Sequence, residues 1–251
     1  MLAAKRPIGR RMTRILIVNS NTTESVTTRI GAAARAVAPA GVEIDCVSAP
    51  FGLPLIVTRA DWLVAGPATL AALAARRGHY DAAVIACFGD PGLDAAKELL
   101  EVPVLGISEA AFHAACMLGR RFAVVSFTKA LRPMFEDCLD HHGLRERCCG
   151  FRMGPAFSGD PGTVAEERRD LLIGLCREAV EVDGAEVLIL AGGPLAGLAP
   201  VLQPHVPVPL VDGTQAAVRL AVALAGLAPL GQRRRPRPLA GYGPELTTLY
   251  A

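Results

Sequence analysis

Short apolar runs alternate along the chain with longer segments in which Ala, Leu and Arg recur at helical spacing. The runs predict strands near Ile15–Asn19, Val42–Val47, Ala83–Cys87, Val104–Ile107, Phe122–Phe127, Glu186–Ala191 and Val208–Val211. The intervals predict helices near Glu24–Val37, Ala60–Arg76, Leu93–Leu100, Glu109–Leu118, Leu131–His142, Thr163–Val182, Leu195–Leu202 and Thr214–Leu227. Strands that are apolar throughout need cover on both faces, so this β-α alternation predicts an α/β fold of parallel-type sheets flanked by helices. In such folds ligands sit beyond the carboxyl ends of the strands.

The pattern also repeats. Asp81-Ala82-Ala83-Val84-Ile85-Ala86-Cys87, a Gly/Pro turn, a short helix and Val102-Pro103-Val104 have a counterpart that starts at Gly184. There Ala185-Glu186-Val187-Leu188-Ile189-Leu190-Ala191-Gly192-Gly193-Pro194 leads through a short helix to Val206-Pro207-Val208, and Cys87 aligns with Gly192. Two pseudo-symmetric lobes follow, with the active site in the cleft between them. The first covers about 13–110 with a contribution from 212–230, and the second about 111–211. The alternative is chance likeness between α/β units of similar composition.

Composition narrows the class. A chain of 251 residues, 51% hydrophobic, can bury a sizeable core. Its net charge of +2 combines +4 in residues 1–12 and +3 in residues 231–251 with −5 for residues 13–230. The body is acidic and carries no footprint for nucleic acid. The basic ends read as a flexible N-terminal extension (1–12) and a solvated C-terminal tail (231–251). The first apolar run is too short for a signal peptide and no stretch reaches bilayer length, so neither secretion nor membrane insertion is expected. Seven cysteines without framework spacing suit a reducing, cytoplasmic compartment. Cys148-Cys149 have no histidine pair at ligand spacing, and His141-His142 beside Gly143 reads as an exposed helix end, so no metal is expected.

Candidate chemistry gathers at strand ends. At Cys87-Phe88-Gly89-Asp90-Pro91-Gly92 a strand gives way to a helix, with Asp90 placed as N-cap and Pro91 at the first helical position. A helix start beside the thiol would lower its pKa toward neutrality and suit it to proton transfer. The same backbone N–H groups would hold an enolate oxygen. The competing reading is that Cys87 is a small hydrophobe ending a buried strand. Asn19-Ser20-Asn21-Thr22-Thr23 offers polar groups to a substrate, or caps a helix. Ser126-Phe127-Thr128 places two hydroxyls at the same end of its sheet.

These residues bring a resemblance into view. Ile17-Val18-Asn19-Ser20-Asn21-Thr22, Ala86-Cys87-Phe88-Gly89-Asp90-Pro91-Gly92-Leu93-Asp94, Gly106-Ile107-Ser108-Glu109-Ala110-Ala111 and Pro207-Val208-Pro209-Leu210-Val211-Asp212-Gly213 are similar to hydantoin and allantoin racemases of the aspartate/glutamate racemase superfamily. The likeness covers about residues 13–230. It implies two similar α/β lobes, no metal or organic cofactor, and a cysteine from each lobe flanking the substrate's stereocentre. One thiolate takes the α-proton and the other thiol returns one to the opposite face.

Cys87 matches the first thiol. The second belongs in a Leu-Gly-Cys-Ala-Gly-Met-like turn, where this chain reads Leu190-Ala191-Gly192-Gly193-Pro194-Leu195. With glycine there, two alternatives stand beside a racemase: a decarboxylase of malonate-like acids that uses Cys87 alone, and a non-catalytic binder of small molecules. The resemblance makes Cys87 the acid/base and places Asn21, Ser126 and Thr128 near substrate. The backbone at Phe88, Gly89, Gly192 and Gly193 would hold its oxygens, and the bare Gly192 face would enlarge the pocket. The expected partner is a small carbonyl or carboxylate compound. Self-association into a homo-oligomer is compatible with this reading.

Overall fold

A computed structural model of the chain describes residues 12–227, 239, 241 and 243–250. Its first half runs β1 (Thr13–Asn19), α1 (Glu24–Arg35), β2 (Val42–Ser48), α2 (Arg59–Ala74), β3 (Ala82–Ile85), α3 (Leu93–Leu99), β4 (Val104–Gly106) and α4 (Ile107–Leu118). The second half runs β5 (Phe122–Ser126), α5 (Arg132–His141), β6 (Cys148–Met153), α6 (Val164–Glu167), α7 (Arg169–Glu181), β7 (Val187–Leu190), α8 (Ala199–Leu202), β8 (Leu210–Asp212) and α9 (Gly213–Leu224). A last helix, α10, spans Pro244–Tyr250.

The strands form two parallel four-stranded sheets of order β2-β1-β3-β4 and β6-β5-β7-β8. The second order is the first with every strand number raised by four, so the sequence repeat is a repeat of topology. β6 is the strand that the apolar pattern left out. Each of its residues is partly exposed, so it lacks the continuous apolar run of a buried strand. The helix expected over Thr163–Val182 is broken at Arg168 into α6 and α7. The one expected over Leu195–Leu202 reduces to a 3-10 turn at Gly193–Leu195 and α8.

Strand alternation sorts the core. Ile15 and Ile17 of β1, with Ala82 and Val84 of β3, face the large cluster shared with the second sheet. Leu16, Val18, Ala83 and Ile85 face the other way, the period of two that a pleated strand imposes. That outer face is covered by Leu70 and Leu73 of α2, Leu93 of α3, and Leu246 and Leu249 of α10. The expectation of a solvated tail over 231–251 therefore fails for residues 244–250. Leu246 and Leu249 are each 5% exposed, and Arg77 Nη1 donates to the Thr248 carbonyl at 2.9 Å. Burying a leucine stabilises by about 1.5–3 kcal/mol. Residues 1–11 and the arginine run at 233–237 lie outside the described residues. Among the described residues no helix is long and apolar enough to cross a membrane.

α2 is anchored for its part in the site. The Thr58 hydroxyl accepts from the Asp61 N–H at 3.1 Å, and the Asp61 carboxylate accepts from the Thr58 N–H at 2.9 Å. This reciprocal cap sets the helix start, and one turn in, Trp62 reaches the Cys87 turn.

Candidate active site

Cys87 and Gly192 each lie two residues beyond the last residue of a strand, β3 and β7. The ladders make the positions equivalent. Ile85 pairs with Val18 as Leu190 pairs with Val125. The Ala86 N–H donates to the Val18 carbonyl at 2.8 Å, and the Ala191 N–H to that of Val125 at 2.9 Å. The same symmetry relates Asn19-Ser20-Asn21 after β1 to Ser126-Phe127-Thr128 after β5, with Ala49 N–H on the Asn19 carbonyl and Gly154 N–H on that of Ser126. These turns stand at the carboxyl ends of parallel strands, where open α/β sheets hold ligands.

They line a narrow cavity of about 20 Å3, room for roughly one water. Asn21, Cys87, Phe88, Gly192 and Gly193 line it, together with apolar side chains that include Ile56, Phe127, Leu131 and Met134. Among the lining residues Cys87 carries the one titratable side chain. Its Sγ is buried and donates to the Phe88 carbonyl at 3.7 Å.

Burial pushes the Cys87 thiol well above its ordinary range, and the negative charge of Asp90 adds to the rise. This reverses the expectation of a lowered pKa. α3 starts only at Leu93, with Gly92 as N-cap, so no helix N-terminus faces the sulfur directly. Asp90 likewise does not cap α3. It adopts a left-handed φ of 48°, and its carboxylate oxygens accept from the Ser108 N–H at 3.0 Å and the Glu109 N–H at 2.8 Å. The carboxylate thus caps α4 in place of α3, and its negative charge stands beside the Cys87 turn. Gly106 permits this approach, since a Cβ there would fall 2.0 Å from the Asp90 Cγ.

The rest of the turn is tied down. The Gly89 N–H donates to the Ser108 hydroxyl at 2.6 Å, and the Gly89 carbonyl accepts from Trp62 Nε1 at 2.7 Å. Phe88 packs with Phe135 and Phe112, ring centroids 4.6 and 5.5 Å away. Asn21 is oriented by its own oxygen. Oδ1 accepts from Asn19 Nδ2 and from the Thr23 N–H, both at 2.9 Å, which turns its NH2 away from those donors.

Three expected substrate contacts lie outside the lining. Ser126 donates its hydroxyl to the Ala191 carbonyl at 2.6 Å and so ties β5 to the Gly192 turn. Thr128 is buried away from the cavity, and Phe127 between them fills the space instead. Gly89 has its N–H and carbonyl already engaged and lines a neighbouring pocket. Nor does Gly192 enlarge the cavity, because the Phe127 ring comes within 3.3 Å of where its Cβ would stand. His142, expected at an exposed helix end, has a side chain only 9% exposed and rests against Phe112 and Asp90. The apolar wall of Leu55, Ile56, Leu131 and Met134 had no signal in sequence, since such residues look like any other core.

Two topologically equivalent parallel sheets whose strand-end turns close over one thiol define a two-lobed α/β protein of the racemase fold. The chain belongs to the Asp/Glu/hydantoin racemase family, whose model matches residues 15–221. It is 34% identical to a hydantoin racemase of Pseudomonas sp. (strain NS671) over 205 residues, 79% of this chain and 80% of that protein. Allantoin racemase from Klebsiella pneumoniae superposes with a TM-score of 0.85 at 34% identity, over 93% of this chain and 98% of the other. Arylmalonate decarboxylase shares the fold, with a TM-score of 0.61 at 18% identity over 89% of this chain and 96% of the other. Kinship with racemases supports an isomerase.

Proposed function

We propose that the protein exchanges the acidic C–H proton of a small carbonyl compound, such as a 5-substituted hydantoin or allantoin, with Cys87 as the acid/base. The observation that carries this reading is the placement of one thiol in a narrow cavity built by strand-end turns of both sheets. Burial holds Cys87 as the thiol at rest, so its own proton first passes to solvent; the thiolate then takes the α-proton, a C–H bond breaks, an S–H bond forms, and the electron pair moves onto the neighbouring carbonyl oxygen. Among the described residues no hydrogen bond occupies the N–H groups of Phe88, Gly192 and Gly193, and these donors suit that oxygen. The Asn21 NH2 holds a second carbonyl.

Return of the proton from Cys87 restores the original hand. Inversion needs a proton from the Gly192 face, which carries no side chain, so solvent supplies it there. Ligand pockets typically measure about 300–1,000 Å3, far above the present cavity, so substrate binds only when the Ile56 and Leu131–Met134 cover swings out and then recloses. The exposed pair of Arg59 Nη2 with Asp137 Oδ1, at 2.8 Å, spans this cover from α2 to α5.

A second reading rests on the same lone titratable group. In a malonate-like acid, cleavage of the C–C bond releases CO2 and leaves an enediolate. That carbanion takes the Cys87 proton, and solvent reprotonates the sulfur. Incubation of hydantoins and arylmalonates in D2O separates the readings through α-deuterium, optical rotation and CO2. Racemase chemistry gives exchange with loss of rotation, decarboxylation gives CO2, and a non-catalytic binder gives neither. Cys87→Ser is expected to lower either rate by about 10²–10⁴-fold. Full activity in that variant sinks both enzymatic readings.

A further inference from the structure

Behind the Cys87 turn, apart from the small cavity at the thiol, lies a pocket of about 640 Å3. Asp90, Cys138 and His142 all line it. Cys138 and His142 stand four residues apart at the end of α5, so their side chains leave the same face. Asp90 comes from the distant turn after β3. One donor atom from each of the three lies within 4.8 Å of the other two. Asp90 and Cys138 are buried, and the His142 side chain is nine-tenths buried.

The His142 Nε2 points into this group and makes no hydrogen bond among the described residues. Its nearest carboxylate oxygen, Asp90 Oδ2, is 3.7 Å away, beyond hydrogen-bonding range. Each Asp90 oxygen accepts one backbone N–H and keeps a second lone pair. Those two N–H bonds hold the carboxylate in place, as outer-shell partners do around metal ligands.

We propose that Asp90, Cys138 and His142 bind a divalent cation of the zinc class, with solvent from the pocket as fourth ligand. Thiolate, imidazole and carboxylate together are a borderline-soft donor set, which suits zinc or cobalt and not magnesium or calcium. Metal–ligand bonds of about 2.0–2.3 Å put tetrahedral donors roughly 3.5 Å apart, so closure from 4.8 Å takes about 1 Å of side-chain rotation. Binding forms a metal–sulfur bond and releases the Cys138 proton to solvent. The site does not depend on the reaction assigned to Cys87, although its Asp90 ligand belongs to the same turn.

The test is titration of the chelator-treated, dialysed full chain with Co2+ and then Zn2+. The expected result is one Co2+ per chain, a thiolate-to-cobalt absorption in the near ultraviolet, displacement by Zn2+, and a raised melting midpoint. Cys138→Ser and His142→Gln should each weaken binding at least about 10-fold, and Cys87→Ser should bind as the parent does. Should Cys138→Ser fail to fold, His142→Gln at the end of α5 still decides. Absence of the thiolate band, undiminished binding in His142→Gln, or binding lost with Cys87→Ser would each overturn the site.

Discussion

If the Cys87 and Gly192 turns face each other across substrate as proposed, replacing Gly192 by cysteine brings in a second thiol and makes the role of that glycine measurable. The substitution carries a calculable penalty. Gly192 has φ +126° and ψ 134°, a region that side-chain-bearing residues enter at about 1–3 kcal/mol. The new Cβ would stand 3.3 Å from the Phe127 Cε1 and 3.8 Å from the Ser126 hydroxyl, so the ring must give by a few tenths of an ångström. Against a stability of about 5–15 kcal/mol the variant stays folded. Its melting midpoint falls by roughly 2–12 °C, at about 2–4 °C per kcal/mol.

The chemical gain is larger than the strain. A positioned acid contributes about 10²–10⁴-fold to a proton transfer, so loss of optical rotation from a single-enantiomer hydantoin should accelerate by at least about 10²-fold. Polarimetry beside α-deuterium exchange and a melting curve reads all three quantities. Gly193→Cys is the control, because its Cβ would point at the Ala86 carbonyl, 3.3 Å away, and at Ile30. A Gly192→Cys protein that melts within the stated range yet racemises at the parental rate would refute the opposition of the two turns across substrate.

Gly106→Ala should dislodge the Asp90 carboxylate from the start of α4, since the two would share space. Loss of that cap alone costs about 0.5–2 kcal/mol, and the displaced Cys87 turn should lower kcat in steady-state assays; unchanged kcat and midpoint would refute the contact. Alkaline pH should destabilise the fold through buried thiols. Burial pushes the Cys176 thiol up to about 12, while an unfolded thiol ionises near 8.5. Below about 8.5 both states hold the proton. Above it the unfolded chain releases its proton first, and the contribution is lost progressively toward pH 12. At pH 10 this amounts to about 2 kcal/mol, seen as a lower urea midpoint that Cys176→Val partly restores; equal midpoints at pH 7.5 and 10 would count against it. Leu249→Ala should cost about 2–5 kcal/mol by opening a cavity between α10 and α2, and a midpoint shift under 1 °C would mean that α10 does not stay docked.

Legibility in the sequence followed the range of the forces involved. Wherever a run is apolar throughout, as in Ile15–Val18 or Ala83–Cys87, the strand is visible, because double-sided burial leaves its mark on every residue. β6 left no such mark, being partly exposed along its length. α10 was hidden behind a basic stretch whose charge outweighed Leu246 and Leu249. Cys87 stood out through its turn. The consequence drawn from that turn is reversed, because burial of the sulfur disfavours its charged form and the Asp90 carboxylate adds to the rise.

The sequence by itself determined the two-lobed α/β fold, the family, and the pairing of Cys87 with Gly192. The fold and the pairing are written in local periodicity and in a repeat that the two sets of parallel ladders reproduce, and the family in strand-end motifs such as Ala86–Asp94 that resemble its members. Only the tertiary structure decided that Phe127 rather than Ser126 or Thr128 walls the cavity, that the cavity has room for about one water, and that Asp90 meets Cys138 and His142. Those outcomes depend on contacts between residues far apart in the chain, where packing and burial select among side chains that local pattern leaves equivalent.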